Sequence, residues 1–130
     1  MLVGYETEGE IVVVQTIAGG PRAIRRRGGF EPDGLWQEGE LARIYEASGY
    51  HHTYLGDWHS HPAGVGRPSG RDKKTAKSVA RERASRTSHP TTLIVASAWR
   101  NRSWEVAAFR FCRRRGFEEL TIRRFDAEGL

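Results

Sequence analysis

The sequence reads as an α+β domain with a mixed, layered sheet, and three observations predict this. Two runs rich in β-branched residues, 11–17 and 91–98, have the length and composition of strands. Only two stretches carry helical spacing, residues 37–47 and the segment after Pro68. In chain order the elements run strand, strand, helix, strand, helix, strand, strand, strand, which is no regular βαβ series. A length of 130 residues suits one compact domain, 1–130, and leaves no room for two.

Residues 1–5 open with apolar side chains, and the polar stretch 6–9 is the simplest hairpin turn into the strand at 11–17. Residues 18–21 break that strand. Arg25-Arg26-Arg27-Gly28-Gly29 reads as a basic, flexible stretch, and Phe30-Glu31-Pro32-Asp33 as turn chemistry. Between 37 and 47, Leu41, Ile44 and Tyr45 fall at helical spacing, and Ser48-Gly49 ends the helix. Residues 50–58 form a strand that places Trp58 in the core. Pro62 to Pro68 is a loop with glycines at 64 and 66, wide enough for one wall of a cleft. The helix from Ser69 has a thin apolar stripe of Ala76, Val79, Ala80 and Ala84, small enough to lie close to a sheet. After the strand at 91–98, a turn at 99–103 leads to a hairpin partner at 104–111. Residues 120–125 are predicted as an edge strand protected by arginines.

Apolar residues make up 38% of the chain, enough for a modest single core. No run of about 18 apolar residues occurs, so no transmembrane helix is expected. The N-terminus lacks the basic-then-apolar pattern of a signal peptide. Cys112 is the one cysteine and cannot form an internal disulfide, which points to the cytoplasm. Net charge is +5 but unevenly placed. Residues 1–66 carry 5 basic and 9 acidic side chains, residues 67–130 carry 16 and 7. An acidic partner surface or a nucleic acid could use the basic half, although a solvated face is the simpler account of charge alone. The aromatic residues show no stacking pattern, so nucleic-acid binding ranks well behind.

The chemistry concentrates in Gly56-Asp57-Trp58-His59-Ser60-His61-Pro62 and Ser69-Gly70-Arg71-Asp72. Side chains repeat every two residues along a strand, so His59 and His61 share one side and can reach one cation. Asp72, at the start of the next helix, can supply an oxygen ligand. Two histidine nitrogens, one carboxylate and an open position make a catalytic type of zinc site. Neutral imidazoles are the ligands, so such a site weakens below about pH 6. Asp72 has a rival role, because Ser69-x-x-Asp72 also has the form of a helix capping box. Taken alone that pattern favours capping; the histidines upstream tip it to ligation. Asp57 shares the face of His59 and is a candidate to orient a ligand. His51, His52 and His89 have no motif around them and read as ordinary surface residues. Cys112 adjoins three arginines, yet a half-buried, unreactive thiol is the simpler reading.

His59-Ser60-His61-Pro62, six residues, then Ser69-Gly70-Arg71-Asp72 resembles the HxHPx(6)SxxD signature of the JAMM/MPN+ metalloproteases. Tyr54-Leu55-Gly56-Asp57-Trp58 resembles the strand leading into it in the bacterial Prok-JAB group. The likeness extends more weakly over about residues 1–111. It implies a mixed, curved sheet flanked by helices, a cytidine-deaminase-like core. It further implies zinc (Zn2+) held by His59, His61 and Asp72, with Ser69 stabilising the tetrahedral intermediate. The substrate implied is the C-terminal tail of a ubiquitin-like or sulfur-carrier protein, cleaved at a peptide or isopeptide bond. In that family a glutamate on an earlier strand is the general base. Met1-Leu2-Val3-Gly4-Tyr5 resembles the tail of that strand, which sets the glutamate, and the family's N-terminal helix, upstream of Met1. Glu6, Glu8 and Glu10 are weak substitutes, each better read as a solvated hairpin residue. A catalytically impaired scaffold or metal-binding interaction domain is therefore the alternative function.

Overall fold

The computed structural model describes residues 1–62, 64–98 and 103–126. Six strands share one mixed sheet, and two helices accompany it, the α+β arrangement expected from the element order. The chain forms two compact units, Met1–Asp57 with Arg83–Thr87, and Trp58–Glu82 with the residues from Ser88 onward.

In the first unit β1 (Leu2–Glu6) and β2 (Ile11–Thr16) form the expected hairpin, closed where Thr7 N–H donates to the Glu10 carbonyl at 2.9 Å. β1 also pairs antiparallel with the start of β5 (Thr53–His61), Leu2 opposite Gly56 and Val3 opposite Tyr54. Flanked on both edges, Leu2 and Val3 are 1% and 0% exposed. The β1–β2 register slips between Val3 and Gly4. A Cβ at Gly4 would run into the Val12 carbonyl oxygen. Gly4→Ala must therefore displace backbone, and it is expected to lower the unfolding free energy by about 1–3 kcal/mol in a denaturant titration.

α1 (Gly34–Ala47) begins three residues earlier than the apolar spacing suggests, because Asp33 caps it, accepting from Trp36 N–H at 3.3 Å. It ends, as expected, at Ser48 and Gly49, the latter at φ +68°. Ile44 packs with Val3 and Ile17, with Met1 and Leu41 at the margin. Gln37 is buried, and its side-chain amide donates to the Ala18 carbonyl at 2.8 Å, satisfying a group that would otherwise be costly there. The stretch expected to be flexible instead forms a small hairpin, β3 (Ile24–Arg26) with β4 (Gly29–Glu31). Its two-residue turn ends in Gly28, and Arg25 lies 5.6 Å over the Phe30 ring, a cation–π contact between cross-strand partners.

The second unit holds the end of β5, α2 (Gly70–Arg81), β6 (Thr91–Ala98), β7 (Ser103–Cys112) and β8 (Gly116–Leu120). β6 and β7 pair antiparallel from Thr91–Arg110 to Ala98–Ser103. Ile94, Ala96, Phe109 and Phe111 form the buried face. Ala76 of α2 is buried, while Val79 and Ala80 are half-buried. Ala84 falls beyond the helix in a short 3-10 turn, Arg83–Ser85, and is exposed, so the apolar stripe is shorter than predicted. The last strand lies earlier than the expected 120–125. Gly116, at φ +76°, completes a tight turn after Arg113–Arg115, so pairing starts there, opposite Cys112. Phe117 then packs edge-on against Phe109 and Phe111. Of the predicted turn at 99–103, residues 99–102 lie outside the described ones. Trp58, expected in the core, is 44% exposed. Among the described residues no helix is long and apolar enough to cross a membrane.

Candidate metal centre

Alternation along the end of β5 half-buries His59 and His61 on one side and exposes Trp58 and Ser60 on the other. The two Nε2 atoms face each other at 2.9 Å. His61 Nδ1 lies 2.6 Å from the Val65 carbonyl oxygen. A carbonyl only accepts, so Nδ1 carries the proton, and in neutral His61 the Nε2 lone pair points inward. The loop makes this contact by turning back at Gly64, whose N–H donates to the His61 carbonyl at 3.2 Å with φ at +79°. A Cβ at Gly64 would lie 3.0 Å from the Ser97 carbonyl oxygen, so the turn has no room for a side chain there.

Asp72 completes the group from the first turn of α2. Its Oδ1 lies 3.1 Å from His59 Nε2 and its Oδ2 3.4 Å from His61 Nε2. The capping box is present as well. Ser69 N–H donates to Asp72 Oδ2 at 2.6 Å, and Asp72 N–H donates to the Ser69 hydroxyl at 3.2 Å. Capping and convergence on the histidines thus coexist in one carboxylate, each of its oxygens facing an imidazole. Burial works to raise the Asp72 pKa. Hydrogen bonds from the Ser69 backbone and hydroxyl, with the nearby imidazoles, outweigh it and hold the pKa below the usual carboxylate value.

The donor set fits a metal ion. Ligand atoms of these three residues all lie within 4.8 Å of one another. Tetrahedral ligands about 2.0–2.1 Å from an ion are roughly 3.3 Å apart, close to the separations here. His59 Nε2 can donate to His61 Nε2 at 2.9 Å when it carries the proton, and in the other tautomer both nitrogens present lone pairs that one cation could share.

The other candidates are placed elsewhere. Asp57 is engaged within the first unit, where the Tyr54 hydroxyl donates to it at 2.6 Å and the Met1 amino group lies 3.9 Å away. Burial, then the Asp57 charge and hydrogen bond, push the Tyr54 pKa upward. Glu6 ends β1, and Glu8 and Glu10 lie at the β1–β2 turn, all exposed. His51 and His89 are exposed, as expected. His52 is instead half-buried and stacks on Tyr5 at 6.0 Å between ring centroids. Cys112 is half-buried at the end of β7. The Val65 carbonyl had no signal in the sequence, since any residue supplies one.

The family described as "Prokaryotic homologs of the JAB domain", Prok-JAB, matches residues 1–115. The chain is also similar to the probable metalloprotease y4qB of Sinorhizobium fredii, 35% identical over 107 residues, which is 78% of this chain. The match spans 65% of that relative's length.

Proposed function

The chain belongs to the Prok-JAB family, and from that premise we propose that it is a zinc-dependent peptidase. The substrate on this reading is the C-terminal tail of a ubiquitin-like or sulfur-carrier protein, cleaved at a peptide or isopeptide bond in the cytoplasm. The supporting observation is the convergence of His59, His61 and Asp72 on a volume that one cation would fill. A zinc ion bound there supplies Lewis acidity and a water acidified to a pKa of about 7. His59 and His61 offer neutral nitrogens, the second oriented by Val65, and Asp72 contributes the balancing charge. Ser69, at the N-cap of α2, presents its hydroxyl beside Asp72, where the helix dipole also favours negative charge. Its role on this reading is to donate to the oxygen that gains charge as the scissile carbonyl is attacked.

The test is hydrolysis of a fusion protein carrying such a tail, with activity lost to a chelator and restored by zinc. Ser69→Ala is expected to lower kcat by roughly 10²–10³-fold. It should also cost about 1 kcal/mol of stability as a lost cap, with zinc content unchanged. Unchanged kcat would remove Ser69 from the chemistry. Among the described residues the metal group holds no carboxylate beyond Asp72, which favours the second reading, a metal-binding scaffold impaired in catalysis. Full zinc content with no hydrolysis of any tail would select it.

A further inference from the structure

We propose that Gly64 is a positioning residue for metal binding, acting through the Val65 carbonyl to hold His61 in the ring position and tautomer that a ligand needs. This rests on the metal centre described above and adds the residue that sets its affinity. An imidazole on a strand has two freedoms, the rotation of its ring and the nitrogen that carries its proton. For His61 one hydrogen bond removes both. The Val65 carbonyl oxygen, 2.6 Å from Nδ1, fixes the ring and leaves the Nε2 lone pair toward His59 and Asp72. The Val65 side chain is exposed, so it is the backbone that must place this carbonyl.

Gly64 supplies that placement. Its φ of +79° lies in the left-handed region, which residues with a Cβ enter only at a cost. Its N–H donates to the His61 carbonyl at 3.2 Å, so the turn is anchored on the residue whose ring it orients. On the other side, a Cβ at Gly64 would lie 3.0 Å from the Ser97 carbonyl oxygen. That oxygen does not yield easily, because Ser97 belongs to β6, an interior strand of the sheet, and is paired there with Trp104. A side chain at position 64 thus meets two obstacles, and the loop relieves both by carrying Val65 away from His61. Gly66 differs. A Cβ there would lie 3.8 Å from the Ala96 Cβ, which is ordinary contact.

The test compares the full chain with G64A, zinc-free and with zinc added. In nitrogen-15 NMR of the zinc-free wild type at about pH 8, above the ordinary histidine pKa of about 6.5, His61 should carry its proton on Nδ1. G64A should show a mixture of both tautomers. Zinc affinity, measured by competition with a chelating indicator, should fall about 10–100-fold in G64A, the usual cost of losing a ligand's hydrogen-bond partner. G64N should lose less, because asparagine enters the left-handed region more readily, and it replaces G64A if that variant does not fold.

Two glycine controls separate positioning from damage to the fold. G116A imposes the same kind of backbone strain, at φ +76° in the β7–β8 turn, where a Cβ meets nothing within 4 Å. It should lower the melting temperature yet keep zinc affinity within about twofold of wild type, as should G66A. An Nε2–H tautomer in the wild type, a zinc affinity in G64A within about twofold of wild type, or an equal loss in G116A would each overturn the proposal. A wild type that binds no zinc would overturn it together with the metal centre. Zinc binding that depends on Gly64, in a chain that hydrolyses no tail, would support it while rejecting the peptidase, so the two readings fail separately.

Discussion

Alanine at both His59 and His61 is expected to abolish zinc binding, from about one ion per chain to background, as measured by elemental analysis after dialysis. Losing a hydrogen-bond partner of a ligand typically costs 10–100-fold in metal affinity. Losing two ligands should exceed the upper end of that range. The effect should extend to stability. At zinc concentrations about 100 times the dissociation constant, binding stabilises the wild type by about 2.7 kcal/mol, which appears as a raised melting temperature. The double variant should show no such shift. Equal zinc content in the two proteins would end the metal-centre assignment and leave the 2.9 Å approach of the Nε2 atoms as a hydrogen bond between the imidazoles.

Asp72→Asn is expected to separate the two roles that Asp72 combines. Asparagine keeps an oxygen for Ser69 N–H, so the start of α2 should survive with a stability change below about 1 kcal/mol. The negative charge facing the two imidazoles is lost, and zinc affinity should fall by roughly 100-fold or more. The zinc-free proteins should also differ in pH dependence. The carboxyl of Asp72 has a folded-state pKa below its unfolded value of about 3.9. Its ionised form therefore adds stability that is complete above that value and is lost as pH falls through the lower folded value. Urea midpoints measured downward from about pH 6 should thus drop more steeply below about pH 4 in wild type than in the variant. Superimposable curves would show that the Ser69 hydrogen bonds hold no ionised carboxylate.

Local periodicity made the centre legible in the amino-acid sequence. His59 and His61 share a side because a strand repeats every two residues, and Ser69 faces Asp72 because three residues span one helical turn. Likewise the 91–98 strand, the first hairpin and the end of α1 at Ser48-Gly49 depend on neighbours a few positions away. Elements whose residues carry no strand signature, or whose start is set by a turn, were read less well. The β3–β4 hairpin pairs Arg25 with Phe30 across a two-residue turn, which a run of arginines and glycines does not announce. β8 starts at Gly116 because the turn lets Phe117 reach Phe109 and Phe111.

The sequence by itself determined which side chains could serve one ion and which local elements present them. Only the tertiary structure decided that Asp72 meets both histidines while capping its helix, and that Val65 sets the His61 tautomer. It also decided that Trp58 stays 44% exposed and that Asp57 belongs to Tyr54. The physical reason is that spacing fixes direction along one element, whereas partners, burial and protonation are set by whatever the folded chain brings alongside.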